Sequence, residues 1–237
     1  MKEIVSKLIG GLIISCQAYE DTPLYGAENM AIMAQSAVMG GADGIRACWP
    51  QDIRAIKEVV DVPVIGIYKE IRQGDPLDTV IITPTFECAK QVIDAGADIL
   101  ALDCTIRESR SFEKLVDLLK KIRSAYPEIP IMADLATVEE AIKVEETGMV
   151  DIISSTLSGY TRNSLSNASD HPDIAMVEEL KAKIQLPINA EGRIWELEDL
   201  DQVIHAKADM ITVGTAVTRP HLITERFVRE NRRMRNL

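Results

Sequence analysis

The sequence is short of the residues that usually announce a chemistry or a compartment. Its four cysteines, Cys16, Cys48, Cys88 and Cys104, lie far apart with no CxxC pair. Neither a disulfide framework nor a thiolate metal site is written into that spacing, and reduced, buried thiols are expected. Of the three histidines, His171 lies in a loop-like stretch, His205 ends a helical segment and His221 opens another. With no HExxH and no Cys/His cluster, a histidine metal site or a Ser-His-Asp triad is not expected, and no metal or other cofactor is expected. Aromatic residues make up 4% of 237, beside 46% apolar and 27% charged, which is globular rather than disordered composition. The longest apolar run near the start, residues 8–14, includes two glycines and falls well short of the roughly 20 residues a membrane helix needs. Glu3 and Ser6 interrupt what would be a signal peptide, so a cytoplasmic protein is expected. Positive charge is scarce as well, 26 Lys and Arg against 37 Asp and Glu, for a net −11. Such a surface repels a polyphosphate backbone, and nucleic acid is not an expected partner.

What is present is a repeat. Ala42-Asp43 leads into GIRACW, Ala97-Asp98 into ILALD, Val150-Asp151 into IISST and Ala208-Asp209 into MITVG, with successive Asp residues 55, 53 and 58 apart. Between them Pro63, Pro130 and Pro187 each precede another apolar run, a place where proline's missing N–H costs least. Runs of four to six residues rich in Val and Ile read as strands buried on both faces, as in parallel sheets. Adding residues 12–16 makes eight. The segments between carry helical periodicity, and Gly40, Gly96 and Gly148 follow three of them, as helix ends favour. Eight such units at about 30 residues each predict an α/β fold, a single (β/α)8 TIM barrel over residues 1–237. The alternative, an open doubly wound sheet, lacks its GxGxxG after any strand.

In such barrels the chemistry sits at the C-terminal ends of the strands. Those ends read Gln17, Arg46, Lys69, Asp103, Asp134, Thr156, Glu191 and Gly214-Thr215, a ring suited to a small polar ligand. Lys69 closes PVIGIYK and can be a Schiff-base nucleophile, a general base or a phosphate ligand. Glu191 closes PINAEG, with Gly192 behind it allowing close backbone approach. Asp103 and Asp134 each read either as a pocket carboxylate or, more readily, as a cap of the helix that follows, but Thr137 is itself placed to cap the helix after Asp134 and leaves that residue for the pocket. Phosphate commonly binds after strands seven and eight, where Gly192, Gly214, Thr215 and Arg219 lie. The longest irregular stretch, residues 157–173 with Gly159, Tyr160 and Thr161, reads as a lid or, equally, as a solvated loop. The arginines at 226, 229, 232, 233 and 235 read as a solvated helix face.

The segments SCQA (15–18), GIRA (44–47), PVIGIYK, ALD, IMADLAT, the stretch 156–161, AEG and VGTAVTRP, in this order, closely resemble the N-acetylmannosamine-6-phosphate 2-epimerase family. The resemblance implies a metal-independent barrel enzyme of bacterial sialic acid catabolism that interconverts N-acetylmannosamine 6-phosphate and N-acetylglucosamine 6-phosphate. It implies Lys69 as catalytic base and Glu191 as second catalytic residue. Gln17, Arg46, Asp134, Thr156 and Tyr160 would bind the sugar, and Gly159, Gly192, Gly214, Thr215 and Arg219 the phosphate. A homodimer is also implied, and the C-terminal segment with Ile223, Phe227 and Met234 could supply its contacts. The sequence departs from the family mainly in residues 70–85 and in the lid after Tyr160.

The implied chemistry makes demands. The carbon 2 proton becomes acidic only when carbon 1 is a free aldehyde, so the sugar ring must open first. A lysine amine, at about 10.4 in isolation, needs burial or a nearby cation to act as base, and a carboxyl near 4.3 must rise to donate a proton. Arg46 is a candidate for that cation. If Lys69 touches Glu191, their attraction opposes both shifts. A Schiff-base aldolase using Lys69 and a non-catalytic sugar-phosphate sensor are the competing readings.

Overall fold

The computed structural model describes residues 1–70 and 73–235; positions 71 and 72 of the divergent segment 70–85 lie outside the described residues. Eight parallel strands close into one barrel, β8 pairing back onto β1. They are β1 (Leu12–Cys16), β2 (Gly44–Cys48), β3 (Val64–Ile67), β4 (Ile99–Asp103), β5 (Ile131–Asp134), β6 (Ile152–Ser154), β7 (Ile188–Glu191) and β8 (Met210–Val213). A short α1 (Glu3–Ser6) precedes β1. Helices α2 (Ala27–Met39), α3 (Pro50–Lys57), α4 (Phe86–Asp94), α5 (Phe112–Ala125), α6 (Val138–Glu146), α7 (Ile174–Lys183) and α8 (Leu197–His205) alternate with the strands. After β8 come α9 (Thr215–Thr218) and α10 (Pro220–Arg235). The eightfold closure expected from the repeat is the observed architecture.

The fourfold repeat has a physical origin. Asp43, Asp98, Asp151 and Asp209 accept, through a carboxylate oxygen, the backbone N–H of Leu12, Val64, Ile131 and Ile188 at 2.8, 2.8, 2.9 and 2.8 Å. Each Asp also donates its own N–H to the carbonyl of that same residue, at 2.8–2.9 Å. Every odd-numbered strand is thus fixed at its start by an Asp placed just before the next strand, satisfying a backbone donor that would otherwise be orphaned. Lys57, Arg123 and Lys181 pair with the last three of these carboxylates. The repeat lies at the N-terminal face of the barrel, where it serves stability and leaves the opposite face to chemistry.

Side chains alternate along each strand, so one parity fills the barrel and the other meets the helices. Ile13, Ile65, Ile67, Ile99, Ala101, Met132, Ile152 and Met210 form an inner cluster, closed from below by Val5 and Leu8 around α1. The opposite parity, with Ile45, Val64, Leu100, Leu102, Ile131 and Ile153, packs against the apolar faces of the surrounding helices. Thr137 caps α6 as expected, accepting the N–H of Glu140, whose carboxylate accepts the Thr137 N–H in return. At α2 the turn differs by one residue, because Gly40 keeps helical geometry and Gly41 takes the left-handed conformation at φ 97°. All four cysteines are free and buried, and burial pushes the thiols of Cys16 and Cys48 up to about 12, so they are poor nucleophiles.

Asp52, in the first turn of α3, is 1% exposed, and neither carboxylate oxygen finds a hydrogen-bond partner among the described residues. Burial pushes its carboxyl up to about 6. A folded value above the unfolded one near 3.9 means that the neutral acid's stability is fully present below about pH 4 and is lost as pH rises through 6. Asp52→Asn is therefore expected to be more stable than the parent by roughly 1–3 kcal/mol at pH 7, with the gap closing towards pH 4. Urea unfolding at the two pH values measures it, and an equal gap at both would contradict the assignment.

Candidate active site

The inward parity turns from apolar to polar as the strands rise. Above Met132 comes Asp134, above Ile152 come Ser154 and Thr156, above Met210 comes Thr212, and β7 contributes Asn189 and Glu191. Arg46 reaches across from the middle of β2, level with Ser15 and Ile65. Its Nη1 and Nη2 donate to the two oxygens of Asp134 at 3.0 and 2.6 Å, and Nη1 donates also to Glu191 Oε2 at 2.7 Å. Arg46 is 1% exposed and Asp134 fully buried. Burial alone would push the guanidinium down, but Asp134 and Glu191 reverse this and hold it above its ordinary value. A buried pair of this kind survives because each charge is matched and hydrogen-bonded.

Glu191 stands where this network meets the cavity. Besides Arg46 it accepts from Thr156 Oγ1 at 3.3 Å and Asn189 Nδ2 at 3.4 Å. Asn189 is held in turn by Ser154 at 2.7 Å and Thr212 at 2.9 Å, and Thr156 also donates to Asp134 at 2.8 Å. Burial pushes the Glu191 carboxyl above the ordinary carboxylate value, with Arg46 opposing. A carboxyl shifted in this direction at a cavity wall is a candidate for proton transfer.

Glu191 opens onto a cavity of about 260 Å³ at the C-terminal mouth of the barrel. The same cavity is lined by Gln17, Lys69, Thr156, Tyr160, Gly192, Gly214, Thr215 and Arg219, nine of the twelve site residues expected from sequence once Glu191 is counted. Lys69 lies two residues beyond β3, its Nζ donating to Tyr19 Oη at 2.8 Å. Gly192, at φ 113°, Gly214 and the start of α9 form the far wall. The other three expected residues lie elsewhere. Arg46 and Asp134 are sealed beneath the cavity and reach it through Glu191 and Thr156. Gly159 is buried in the loop after β6, where its N–H donates to Ser164 Oγ at 3.0 Å. A Cβ at Gly159 would come within 2.5 Å of Arg193 Nη1 and 2.9 Å of Ala168 Cα, so close packing of the loop accounts for the glycine.

Asp103 is fully engaged outside the cavity, accepting from Thr105, Arg107 and Arg110 at 2.7–2.9 Å, and it organises its own loop. Arg46 donates to two carboxylates rather than standing as a cation beside Lys69. Several cavity neighbours were missed from sequence. Asn189 could have been found, since a residue two before an inward Glu191 must share its face. Arg193, whose guanidinium lies 5.5 Å from the Tyr160 ring centroid, carried no comparable signal, nor did Tyr19 and Trp49. Lys69 also borders a second, open cleft of about 840 Å³ with Tyr19, Tyr25, Trp49 and Tyr68. Among the described residues, no three His, Cys, Asp or Glu side chains converge as metal ligands.

A family model described as "Putative N-acetylmannosamine-6-phosphate epimerase" matches residues 30–233. The chain belongs to this family. A relative from Caldanaerobacter subterraneus subsp. tengcongensis, named "Putative N-acetylmannosamine-6-phosphate 2-epimerase", is 46% identical over 95% of this chain and 93% of its own length. A relative of the same name from Listeria innocua is 42% identical over 96% of each. The solved structure of the N-acetylmannosamine-6-phosphate 2-epimerase from Clostridium perfringens matches with a TM-score of 0.86 and 37% identity, over 96% of both chains. A structure described as "QR15, an Aldolase" matches at a TM-score of 0.62 and 20% identity, covering 98% of each chain. That likeness shows the barrel fold alone and lends the aldolase reading no weight.

Proposed function

We propose that this protein interconverts N-acetylmannosamine 6-phosphate and N-acetylglucosamine 6-phosphate by removing the proton at carbon 2 of the open-chain sugar and returning it to the opposite face. The observation that carries this reading is an amine and a raised carboxyl opening into one cavity without an ion pair between them, in a chain of the epimerase family. Lys69 takes the carbon 2 proton. Glu191 assists ring opening and donates to the carbon, its proton affinity set by burial against Arg46. The carbanion formed at carbon 2 is an enolate, so its charge resides largely on the carbon 1 oxygen. Within the same cavity Gln17 offers an amide N–H to a sugar oxygen, and Thr156 Oγ1, whose own proton goes to the carboxylates, can accept from a sugar hydroxyl. The sugar's phosphate is placed against Gly192, Gly214, Thr215 and Arg219, at the loops after β7 and β8 and the short helix that follows, the usual phosphate position in barrels.

The decisive experiment is proton NMR of N-acetylmannosamine 6-phosphate with the protein in deuterated water. N-acetylglucosamine 6-phosphate carrying deuterium at carbon 2 is the expected product. Cleavage products would replace this reading by an aldolase, and an unchanged spectrum with bound ligand would replace it by a sensor.

No helix among the described residues is long and apolar enough to cross a membrane, and a cytoplasmic setting fits a phosphorylated substrate. The proposed partner is a second copy of this chain. Helix α10 runs 16 residues without a buried side chain and leaves Phe227 and Met234 exposed, as an interface helix would. Sedimentation equilibrium at twice the monomer mass is the expected result, and a monomer would remove the proposal.

A further inference from the structure

An amine and a carboxylate sharing one partly dry cavity attract each other strongly and tend to close into an ion pair. Such a pair keeps the amine protonated and the carboxylate ionised, so the first can take no proton from carbon and the second can give none. Lys69 and Glu191 are close enough for the amine's charge to act on the carboxyl. Lys69 nevertheless donates to Tyr19 Oη at 2.8 Å, while Glu191 is held by Arg46 at 2.7 Å.

The tyrosine is itself fixed from several sides. The Trp49 ring meets it edge-on, with centroids 5.8 Å apart and planes at 81°. The Arg219 guanidinium lies 5.1 Å from its ring centroid, and Lys69 Nζ 5.3 Å. Cations gain from the face of an aromatic ring. Trp49 anchors the other end of the arrangement, its Nε1 donating to the backbone carbonyl of Lys69 at 2.9 Å. To do so it sits at φ 70°, a conformation costly for so large a residue and found where a side chain must be aimed.

We propose that Tyr19 is a positioning residue whose hydroxyl holds the Lys69 amine away from Glu191, so that the two groups face the substrate without pairing with each other. The proposal rests on Lys69 and Glu191 being the acid–base pair. It assigns a task to a loop residue that contacts the base rather than the reacting carbon.

Tyr19→Phe keeps the ring and removes the oxygen. Its kcat is expected to fall at least about tenfold with KM within about twofold, and the isotope effect on kcat for substrate deuterated at carbon 2 is expected to rise as proton abstraction becomes slower. A second readout needs no turnover. Acylation by acetic anhydride requires the amine lone pair, so mass spectrometry should find Lys69 labelled several-fold more slowly in Tyr19→Phe, relative to the other lysines. Labelling is expected to recover in the double variant Tyr19→Phe/Glu191→Gln, where the pairing carboxylate is gone, a recovery that loss of mere packing would not produce. Parent-like kcat, a change in KM alone, unchanged labelling, or no recovery in the double variant would each overturn the proposal. Failure of the epimerase reading shows separately, as an unchanged NMR spectrum with the parent protein, while the labelling comparison still decides the role of Tyr19.

Discussion

Lys69→Ala is expected to lower kcat by a factor of about 10³ or more, within the 10² to 10⁴ that a positioned general base contributes, while substrate affinity and melting temperature stay near the parent's. The size of the loss follows from the geometry. Among the side chains that line the cavity, Lys69 supplies the aliphatic amine, and it shares that cavity with Glu191, the exposed edge of the carboxylate network. The small stability effect follows from its setting two residues past β3, partly exposed, with Tyr19 as the hydrogen-bond partner of its Nζ. Removing it therefore leaves no charge stranded in the core, unlike removal of a buried ion. Calorimetric titration with N-acetylglucosamine 6-phosphate separates binding from turnover, and a variant that retains full kcat would refute the role of Lys69. Borohydride added with substrate is expected to leave the parent unmodified. A reduced adduct on Lys69 would instead assign it to Schiff-base chemistry.

The fold was legible because its signals are local and repeated. Parallel strands buried on both faces must be apolar throughout, so VIGI, ILALD and IIS mark themselves, and the Asp before each even-numbered strand recurs because it serves the same backbone donor each time. The convergence of Lys69, Thr156, Glu191 and Gly214 was legible because the barrel puts every strand's end at one mouth. What the strand-end rule could not supply was depth. Arg46 lies two residues below the end of β2 and Asp134 at the end of β5, yet both are covered, because the stagger of a closed barrel sets strand ends at different heights. A ligand role and a supporting role look the same in sequence. Tyr19 and Trp49 were hidden for another reason. They lie in loops, 50 and 20 residues from Lys69 in the chain, and Trp49 contributes through a left-handed backbone conformation that no side-chain pattern reports. Gly159 was misleading in the opposite way, since a glycine needed for loop packing against Arg193 resembles one that admits a phosphate.

Arg46→Ala is expected to cost about 3–5 kcal/mol of stability at pH 7 and to lower kcat by at least about 10²-fold. Both effects come from the same hydrogen bonds. The guanidinium is the shared donor to Asp134 and Glu191, and its removal leaves two carboxyl groups close together without their cation. Glu191, already raised by burial and no longer opposed by Arg46, then favours its neutral form in the folded state still more strongly. A group raised in this way keeps its contribution below the unfolded pKa near 4 and loses it as pH rises through the folded value. The stability deficit of Arg46→Ala must therefore shrink as pH falls from 7 towards 4, whereas the cost of a simple cavity does not change with pH. Arg46→Lys restores one positive charge but not the fork that meets both oxygens of Asp134, and is expected to recover part of the stability and little of the activity. Adding Asp134→Asn to Arg46→Ala is expected to return a substantial share of the lost stability, because one of the stranded charges is gone. If the double variant were as unstable as the sum of the single ones, charge matching would not be the source of the effect. In that case the triad would owe its place to packing, and Arg46 would not be the group that opposes the effect of burial on the Glu191 carboxyl.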